Sequence, residues 1–196
     1  MKKIVSILFI ILVGFTTNLI AEDSQSIKRI SVGEKNAKIT IIAYESLTCG
    51  HCADFHKNVY PELKKDFIDK GLVKIEFRHF PLDIAAFNAS KIGQCNNDGK
   101  SEVLHTLFSG QKKWAKGKSP EEATAYLKKF LKDEGVRVNF DKCLSNKAIE
   151  DFVLNDRIEG VKKFKVNATP TIIINDKKFE KALNYKNIKK YLEKLI

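Results

Sequence analysis

The order of apolar patterns along this chain predicts an α/β fold in which a helical block separates two smaller halves. In the first half, KITIIAY and LVKIEFRHF have the β-branched character of buried strands, and an amphipathic helical segment joins them. The second half begins with the strand pattern TPTIIIND, continues with KFEKAL and closes with the amphipathic helix NYKNIKKYLEKLI. Because a helical crossover joins the first two strands, we expect them to pair in parallel.

The helical patterns fix the predicted domain limits. Apolar residues in CADFHKNVYPELKKDFIDKG recur at every fourth position, and Pro61 inside this segment should kink the helix. From residue 84 to 153 the chain is helical between the turns NNDG, KGKSP and GVRVN, with Ser119 as a helix cap. The predicted parts are a signal peptide at 1–21, a lead-in at 22–37, a first α/β part at 38–83, the helical insertion at 84–153 and a second α/β part at 154–196.

The N-terminus predicts export. Lys2 and Lys3 precede the apolar run ILFIILVGF, and Ala21 stands at a plausible cleavage point. Leu19 is larger than usual for the position three residues before cleavage, so an uncleaved membrane anchor is the alternative. The apolar run is short for a spanning helix, which needs roughly 20 residues. We therefore expect an exported protein.

Charge and composition argue against a nucleic-acid partner. The 196 residues carry a net charge of +11, but 31 of the 35 basic residues are lysine and only four are arginine. Base-edge recognition favours the bidentate fork of arginine. The lysines are also interleaved with acidic residues, which indicates a solvated surface, although weak attraction to acidic surfaces remains possible.

Four cysteines follow the predicted signal peptide, and their even number suggests two pairs. Cys49 and Cys52, in the sequence CGHC, are close enough to pair with each other, which leaves Cys95 with Cys143. That second pair would be a structural disulfide across the helical block, and two buried free thiols are the alternative. For CGHC the competing interpretations are an inert structural disulfide or a zinc site completed by His56 and one further cysteine. Because no second CxxC exists and the compartment is oxidising, we expect no metal and no other cofactor.

Three segments carry a family resemblance: SLTCGHCADFH, EFRHFPLD and VNATPTIIIN. A CxxC at a strand-to-helix junction, with Thr-Pro more than a hundred residues later and just before a strand, resembles the thioredoxin fold. With a helical insertion between the halves, nearly all of the mature chain resembles the DsbA family of exported disulfide-forming proteins. This resemblance implies a thioredoxin fold with an inserted α-helical domain. It also implies a thiol:disulfide oxidoreductase of a bacterial periplasm that introduces disulfide bonds into folding proteins.

The chain departs from the pattern of that family at two positions. Gly50 stands where the family commonly has proline, and the resulting Gly-His dipeptide is similar to that of eukaryotic protein disulfide isomerases, which implies a milder oxidant. The buried acid of the family usually lies six residues before the first cysteine, where this chain has Ala43. Glu45 lies two positions further on, on the same strand face. It is predicted either to take the proton of Cys52 or to be a solvated charge at the strand end.

The expected roles of the site residues follow from the start of the helix. At that position the sulfur of Cys49 would face unpaired backbone N–H groups and the positive end of the helix dipole, both of which favour a thiolate. His51, when protonated, would add a positive charge, and Cys52, one turn later, would be the resolving thiol. The resemblance makes Pro170 a cis proline whose preceding residue, Thr169, pairs with an extended substrate segment.

The remaining expectations concern the other histidines and the partners. His56, His79 and His105 are predicted to be structural or surface residues, and Trp114 to be part of the core or groove lining. The substrates would be unfolded exported proteins with free thiols, and the resemblance implies a DsbB-type membrane quinone reductase for reoxidation. A monomer is expected, because only about 17 residues separate the signal from the first strand. The alternatives are a disulfide isomerase or reductase, or a peptide-binding chaperone module in which CGHC is incidental.

Overall fold

The computed structural model describes residues 26–196, and the signal peptide predicted for 1–21 lies outside these residues. Within them the chain forms one five-stranded sheet with the strand order β1-β3-β2-β4-β5. The strands are β1 Ser31–Val32, β2 Ile39–Glu45, β3 Val73–His79, β4 Thr171–Ile174 and β5 Lys177–Lys178.

The two central strands form the predicted parallel pair. Strands β2 and β3 pair over seven residues, from Ile39 opposite Val73 to Glu45 opposite His79. All other neighbours in the sheet are antiparallel, including β4, which pairs with the other edge of β2. This register brings the C-terminal end of β2, and therefore the CGHC segment, next to the N-terminal end of β4.

Nine helices surround this sheet in the described part of the chain. They are α1 Gly50–Asn58, α2 Tyr60–Leu63, α3 Ile84–Gln94, α4 Glu102–Ser109, α5 Gln111–Trp114, α6 Pro120–Asp133, α7 Phe140–Ser145, α8 Lys147–Phe164 and α9 Tyr185–Leu192. No helix between residues 26 and 196 combines the length and the apolar character needed to cross a bilayer.

The sheet separates two apolar clusters. On one face, Ile41, Ala43 and Phe77 pack with residues of α1, α3, α4 and α9 in the larger cluster. On the other face, Ile42 and Tyr44 pack with a smaller group that includes Phe80 and Phe164 at the end of α8. The alternation along β2 therefore places residues 41, 43 and 45 on the α1 side, where the chemistry of CGHC will lie.

Three local features differ from or refine the sequence expectations. Strand β1 was not predicted, because two residues are too few to show a period. The first helix is divided as Pro61 suggested: α1 ends at Asn58, α2 begins at Tyr60 with proline in its first turn, and a π-helical turn follows at Lys64–Ile68. Helix α8 runs without a break across the boundary that was expected between residues 153 and 154.

Candidate functional site

The CGHC segment lies where the chain passes from β2 into α1. Cys49 is the N-cap residue of α1 in an extended conformation, and its carbonyl oxygen accepts the backbone N–H groups of Cys52 and Ala53, both at 3.2 Å. The Cys49 side chain is partly exposed, whereas Cys52, one turn into the helix, is fully buried, and both are free thiols. An attacking group from solvent can therefore reach only the first sulfur.

The surroundings of Cys49 stabilise its ionised form. Its pKa is lowered from 9.0 to about 5, chiefly by a hydrogen bond from the Cys52 thiol, then by Thr169 and by the backbone N–H groups of Cys52 and His51, against an opposing effect of burial. The side chain of His51 is exposed. The helix start thus acts through its backbone donors, and His51 contributes its backbone N–H.

The environment of Cys52 has the opposite effect. Burial raises the pKa of the Cys52 thiol most, and the hydrogen bond to Cys49 and the negative charge of Glu45 raise it further. The two sulfurs three residues apart therefore differ strongly in acidity. Whenever Cys52 acts as a nucleophile, its proton needs an acceptor close by.

The Thr169–Pro170 segment lies against Cys49, although 120 residues separate them in sequence. The Cys49 thiol donates to the carbonyl oxygen of Thr169 at 3.3 Å, and the Thr169–Pro170 peptide bond is cis. The Thr169 hydroxyl is buried and has no hydrogen-bond partner among residues 26–196. It is therefore free to donate to Cys49 once the sulfur is ionised. The fold brings together the two segments on which the sequence prediction depended.

Glu45 is buried beneath the site and is only 4% exposed, which rules out the alternative of a solvated charge at the strand end. Its Oε2 lies 2.8 Å from Nε2 of His56, and Nδ1 of His56 lies 2.9 Å from Nδ1 of His105. Burial raises the pKa of Glu45, and the neighbouring His56 opposes that effect.

His56 and His105 were expected to be structural or surface residues, so the contact of His56 with the predicted acid, and that of His105 with His56, were missed. The sequence held one signal for His56, which follows Cys52 by four residues and therefore lies on the same face of α1. No comparable signal exists for His105, because it comes from α4, in the insertion. His79, the third of these residues, is buried and contacts Gln94 at 3.2 Å.

A second residue that the sequence did not reveal is Gln111, at the start of α5. Its side-chain Nε2 donates to the carbonyl oxygens of Leu47 at 2.8 Å and of Cys49 at 2.9 Å. Gln111 is buried, and it comes from the helical insertion rather than from the α/β part. The insertion thus holds the loop that ends at the first cysteine.

A groove of about 490 Å³ opens beside this loop, between the start of α3 and the start of α6. Its lining runs from Thr48 and Asp83 to Lys116 and Pro120, and the Thr48 hydroxyl donates to the Asp83 carboxylate at 2.7 Å. Ile84 lines the groove and is 58% exposed. A mixed apolar and basic surface therefore borders the active cysteine on the insertion side.

The other two cysteines are joined to each other. Cys95, just after α3, forms a disulfide with Cys143 in α7, with 5.5 Å between the two Cα atoms. Neither sulfur is therefore available to complete a zinc site with CGHC, and both ring nitrogens of His56 face Glu45 and His105. Within residues 26–196 no group of three or more His, Cys, Asp or Glu side chains is arranged to hold a metal ion.

The geometry can now be compared with known proteins. A family model described as thioredoxin matches residues 25–194, almost the whole of the described chain. The chain belongs to the thioredoxin family. It is similar to disulfide bond formation protein D of Bacillus subtilis, with 28% identity over 174 residues, 83% of this chain and 75% of that protein.

Two further relatives agree with this assignment. The chain in the crystal structure of Wolbachia pipientis alpha-DsbA1 is 28% identical to this one and superposes on it with a TM-score of 0.75. The superposition covers 85% of this chain and 90% of the Wolbachia chain. A Rickettsia bellii protein, provisionally named a protein-disulfide oxidoreductase, is 29% identical over 147 residues, 74% of this chain, which spans only 56% of that protein. The predicted thioredoxin fold and DsbA-like resemblance are confirmed, and the chain is a thiol:disulfide oxidoreductase.

Proposed function

We propose that this protein is exported and introduces disulfide bonds into unfolded exported proteins through a Cys49–Cys52 disulfide. The direction of the reaction is inferred from one observation. The Cys49 sulfur is partly exposed at a helix start and surrounded by hydrogen-bond donors, whereas the Cys52 sulfur is fully buried. This arrangement lowers the pKa of Cys49 to about 5. A sulfur that is stable as a thiolate is a good leaving group, so its disulfide is readily reduced and acts as an oxidant.

The cycle begins with the oxidised enzyme. A substrate thiolate attacks the sulfur of Cys49, the Cys49–Cys52 bond breaks, and Cys52 leaves with the electron pair and takes up a proton. A second substrate thiolate then attacks the substrate sulfur of the mixed disulfide, and Cys49 leaves as a thiolate. The substrate gains one disulfide and loses two electrons, which remain on the enzyme as two reduced cysteines.

Glu45 is the proposed partner of Cys52 in proton transfer. Its carboxyl is buried on the α1 side of the sheet, its charge acts on Cys52, and its second oxygen, Oε1, has no hydrogen-bond partner within residues 26–196. Burial raises the pKa of Glu45, so this carboxyl binds a proton more readily than an exposed one does. It therefore supplies the proton when Cys52 leaves and accepts it when Cys52 attacks.

The Thr169–Pro170 segment and the groove beside Thr48 are the proposed substrate surface. An extended chain that crosses Cys49 would meet the Thr169 backbone on one side and the exposed Ile84 on the other. This surface suits an unfolded apolar segment rather than one fixed sequence. His51 is proposed to contribute to the reactivity of Cys49 from the exposed side.

Export and reoxidation complete the proposal. The basic and apolar start of the sequence supports secretion to the periplasm, and the disulfide between Cys95 and Cys143 fits an oxidising compartment. After each cycle two electrons must leave the enzyme. The proposed acceptor is a DsbB-type membrane quinone reductase, and the protein is proposed to work as a monomer.

The deciding experiment is the equilibrium of Cys49 and Cys52 with reduced and oxidised glutathione. An oxidant should have a potential between about −120 and −180 mV, whereas a value near −270 mV, typical of thioredoxin, would overturn the oxidative direction. A Cys49→Ala variant supplies the second test, on the refolding of a reduced substrate protein. The variant should lose all disulfide formation, and a variant that kept its full effect on refolding would indicate a peptide-binding module instead.

A further inference from the structure

Three ionisable side chains, two of them buried and His105 half-buried, form a continuous chain of contacts that leads away from Cys52. They come from three different elements: Glu45 from β2, His56 from α1 and His105 from α4. The distances are 2.8 Å from Glu45 Oε2 to His56 Nε2, and 2.9 Å from His56 Nδ1 to His105 Nδ1. The side chains of His56 and Glu45 are 5% and 3% exposed. Solvent therefore does not supply the hydrogen-bond partners of this chain.

Aromatic side chains fix both rings in place. His56 stacks on Phe108 with ring centroids 4.0 Å apart, and His105 stacks on Tyr60 at 4.6 Å. Phe77 packs against both imidazoles, at 5.2 Å and 5.4 Å. Because neither ring can turn without breaking these contacts, the nitrogen atoms stay aligned and only the protons can move along the chain.

The contact between the two imidazoles restricts where those protons lie. One Nδ1 must donate and the other must accept, since two bare nitrogens or two N–H groups would repel each other. His105 stays neutral over most of the pH range, because burial, and then the charges of His56 and Lys64, lower its pKa to about 4. A neutral imidazole carries one N–H, so two arrangements of the chain satisfy its internal hydrogen bonds when His56 is neutral as well. When His56 carries a proton on both nitrogens, it donates to an ionised Glu45 and to Nδ1 of His105.

In the first arrangement, His105 Nδ1–H donates to His56, and His56 Nε2–H donates to an ionised Glu45. Oε1 of Glu45 is then an open, buried acceptor without a partner. The second arrangement holds one more proton: Glu45 donates from Oε2 to His56, His56 Nδ1–H donates to His105, and His105 carries its proton on the unpartnered Nε2. While His56 is neutral, the protonation state of the carboxyl is thus tied to the tautomers of both histidines.

We propose that His56 and His105 are positioning residues that keep Glu45 in the form that exchanges a proton with Cys52 through Oε1. This inference rests on the proposed function, in which Cys52 resolves a mixed disulfide. In that step the proton of the Cys52 thiol passes to Oε1, and the thiolate attacks the sulfur of Cys49. The Cys49–Cys52 bond forms, the bond from Cys49 to glutathione or substrate breaks, and the displaced thiolate leaves with the electron pair.

Other titratable groups lie on the surrounding elements. They come from the start of α1, α2, the π-helical turn and its end, β3 and α4, and they are Cys49, Cys52, Tyr60, Lys64, Asp69, His79 and Glu102. None of them is changed in the variants below, so a difference in pH profile between these variants reports on the chain itself.

The test separates the two cysteine steps in the reaction of the reduced protein with oxidised glutathione. Acid quenching and mass spectrometry follow the mixed disulfide, which Cys49 forms and Cys52 resolves. His105→Phe keeps a ring to stack on Tyr60 but removes both nitrogens. We expect unchanged formation of the mixed disulfide and an unchanged Cys49 titration. Resolution should be slowed at least about tenfold, part of the roughly 10²-fold or more that a general base contributes, with a displaced pH profile.

Two further variants calibrate this result. Glu45→Gln removes the acceptor itself and should slow resolution more than His105→Phe does. His105→Asn places an amide N–H near the position of Nδ1, so it should restore resolution to within about threefold of the wild-type rate. A purely structural role for His105 predicts no such rescue and no displaced pH profile.

The outcomes distinguish this inference from the function on which it rests. If His105→Phe resolves the mixed disulfide at the wild-type rate and with the wild-type pH profile, the positioning role of the histidines is refuted and the proposed function still stands. A wild-type protein that forms no mixed disulfide, or never resolves it, would overturn the proposed function as well. If His105→Phe does not fold, ¹⁵N shifts of the imidazoles in the wild-type protein decide. While Glu45 is ionised and His56 is neutral, we expect Nδ1–H on His105 and Nε2–H on His56, and the Nε2–H tautomer on both rings would refute the proposal.

Discussion

At the scale of single residues, the site depends on a difference in acidity between two identical side chains. Cys49 gains hydrogen bonds at the start of α1, and Cys52 loses contact with water one turn later. The same thiol of Cys52 that keeps its own proton donates to Cys49 and lowers its pKa. Reactivity is therefore a property of the pair, which makes it possible to test each sulfur by changing the other.

The titration of Cys49 is the first prediction. In the reduced protein, the thiolate absorbance should appear with a midpoint near pH 5. Cys49→Ser should abolish this transition. Cys52→Ala should raise its midpoint, because the Cys52 thiol is the strongest hydrogen-bond donor to the sulfur. A midpoint near 9, as in an unfolded chain, would contradict this account of the site.

The same shift has a consequence for stability. Because the folded protein binds this proton less tightly than the unfolded chain, deprotonation of Cys49 stabilises the reduced fold. The contribution is fully present above about pH 9 and is lost as the pH falls through about 5. Urea unfolding of the reduced wild type and of Cys49→Ser should therefore diverge with rising pH over this interval.

At the scale of secondary-structure elements, the insertion contributes directly to the active site. Helix α4 supplies His105, and α5 supplies Gln111, whose amide spans two backbone carbonyls of the loop before α1. The bond to the Leu47 carbonyl is buried, and the bond to the Cys49 carbonyl is partly buried. The position of the first cysteine therefore depends on a helix that is far from it in sequence.

Replacement of Gln111 by methionine tests this connection. Methionine has nearly the same volume but no donor, so the carbonyl of Leu47 loses its side-chain partner, whereas the carbonyl of Cys49 keeps the backbone N–H groups of Cys52 and Ala53. We expect a loss of about 1–3 kcal/mol in the free energy of unfolding. Lys112→Met is the matched control. Lys112 is the exposed neighbour of Gln111, so its replacement should change the free energy of unfolding by less than about 0.5 kcal/mol. Equal urea midpoints for the two variants would show that the bonds of Gln111 do not hold the loop.

The contact of α8 with the sheet allows a second test at this scale. A Cβ atom on Gly160 would lie 2.8 Å from Cε1 of the buried Tyr44, so the helix could not keep its present distance from β2. Gly160→Ala should lower the unfolding free energy by about 1–3 kcal/mol. Gly93→Ala in α3 is the control, because its nearest neighbour would be 3.5 Å away and alanine favours a helix. If Gly160→Ala were as stable as Gly93→Ala, the close packing of α8 would be refuted.

The sequence predicted those parts of the molecule that depend on local patterns. The alternation in β2 and β3, the helix start at CGHC and the Thr-Pro before β4 are all visible within a few residues. The contacts of His105 and Gln111 were not predictable, because they form only when the insertion folds back over the site. Strand β1 was also invisible, since two residues that pair with β3 leave no periodic signal.

At the scale of the whole molecule, the helical insertion and the α/β part work as one unit. The larger apolar cluster contains residues of both, from Ile41 and Phe77 in the sheet to Leu107 and Leu127 in the insertion. The disulfide between Cys95 and Cys143 closes a loop that contains α4, α5 and α6. The two site residues from the insertion therefore lie inside the closed loop.

Removal of that disulfide is the last prediction. With a sequence separation of 48 between the two cysteines, loss of the cross-link in a Cys95→Ala/Cys143→Ala variant should lower the unfolding free energy by about 3–4 kcal/mol, because the unfolded chain gains entropy. Urea unfolding with Cys49 and Cys52 also changed to serine, in both the variant and its reference, keeps the redox state of the active site out of the comparison. An unchanged urea midpoint would show that the cross-link does not limit the unfolded chain. Because Gln111 and His105 are held by packing as well as by the disulfide, the variant with its active cysteines intact should still resolve mixed disulfides at a concentration of urea well below its midpoint.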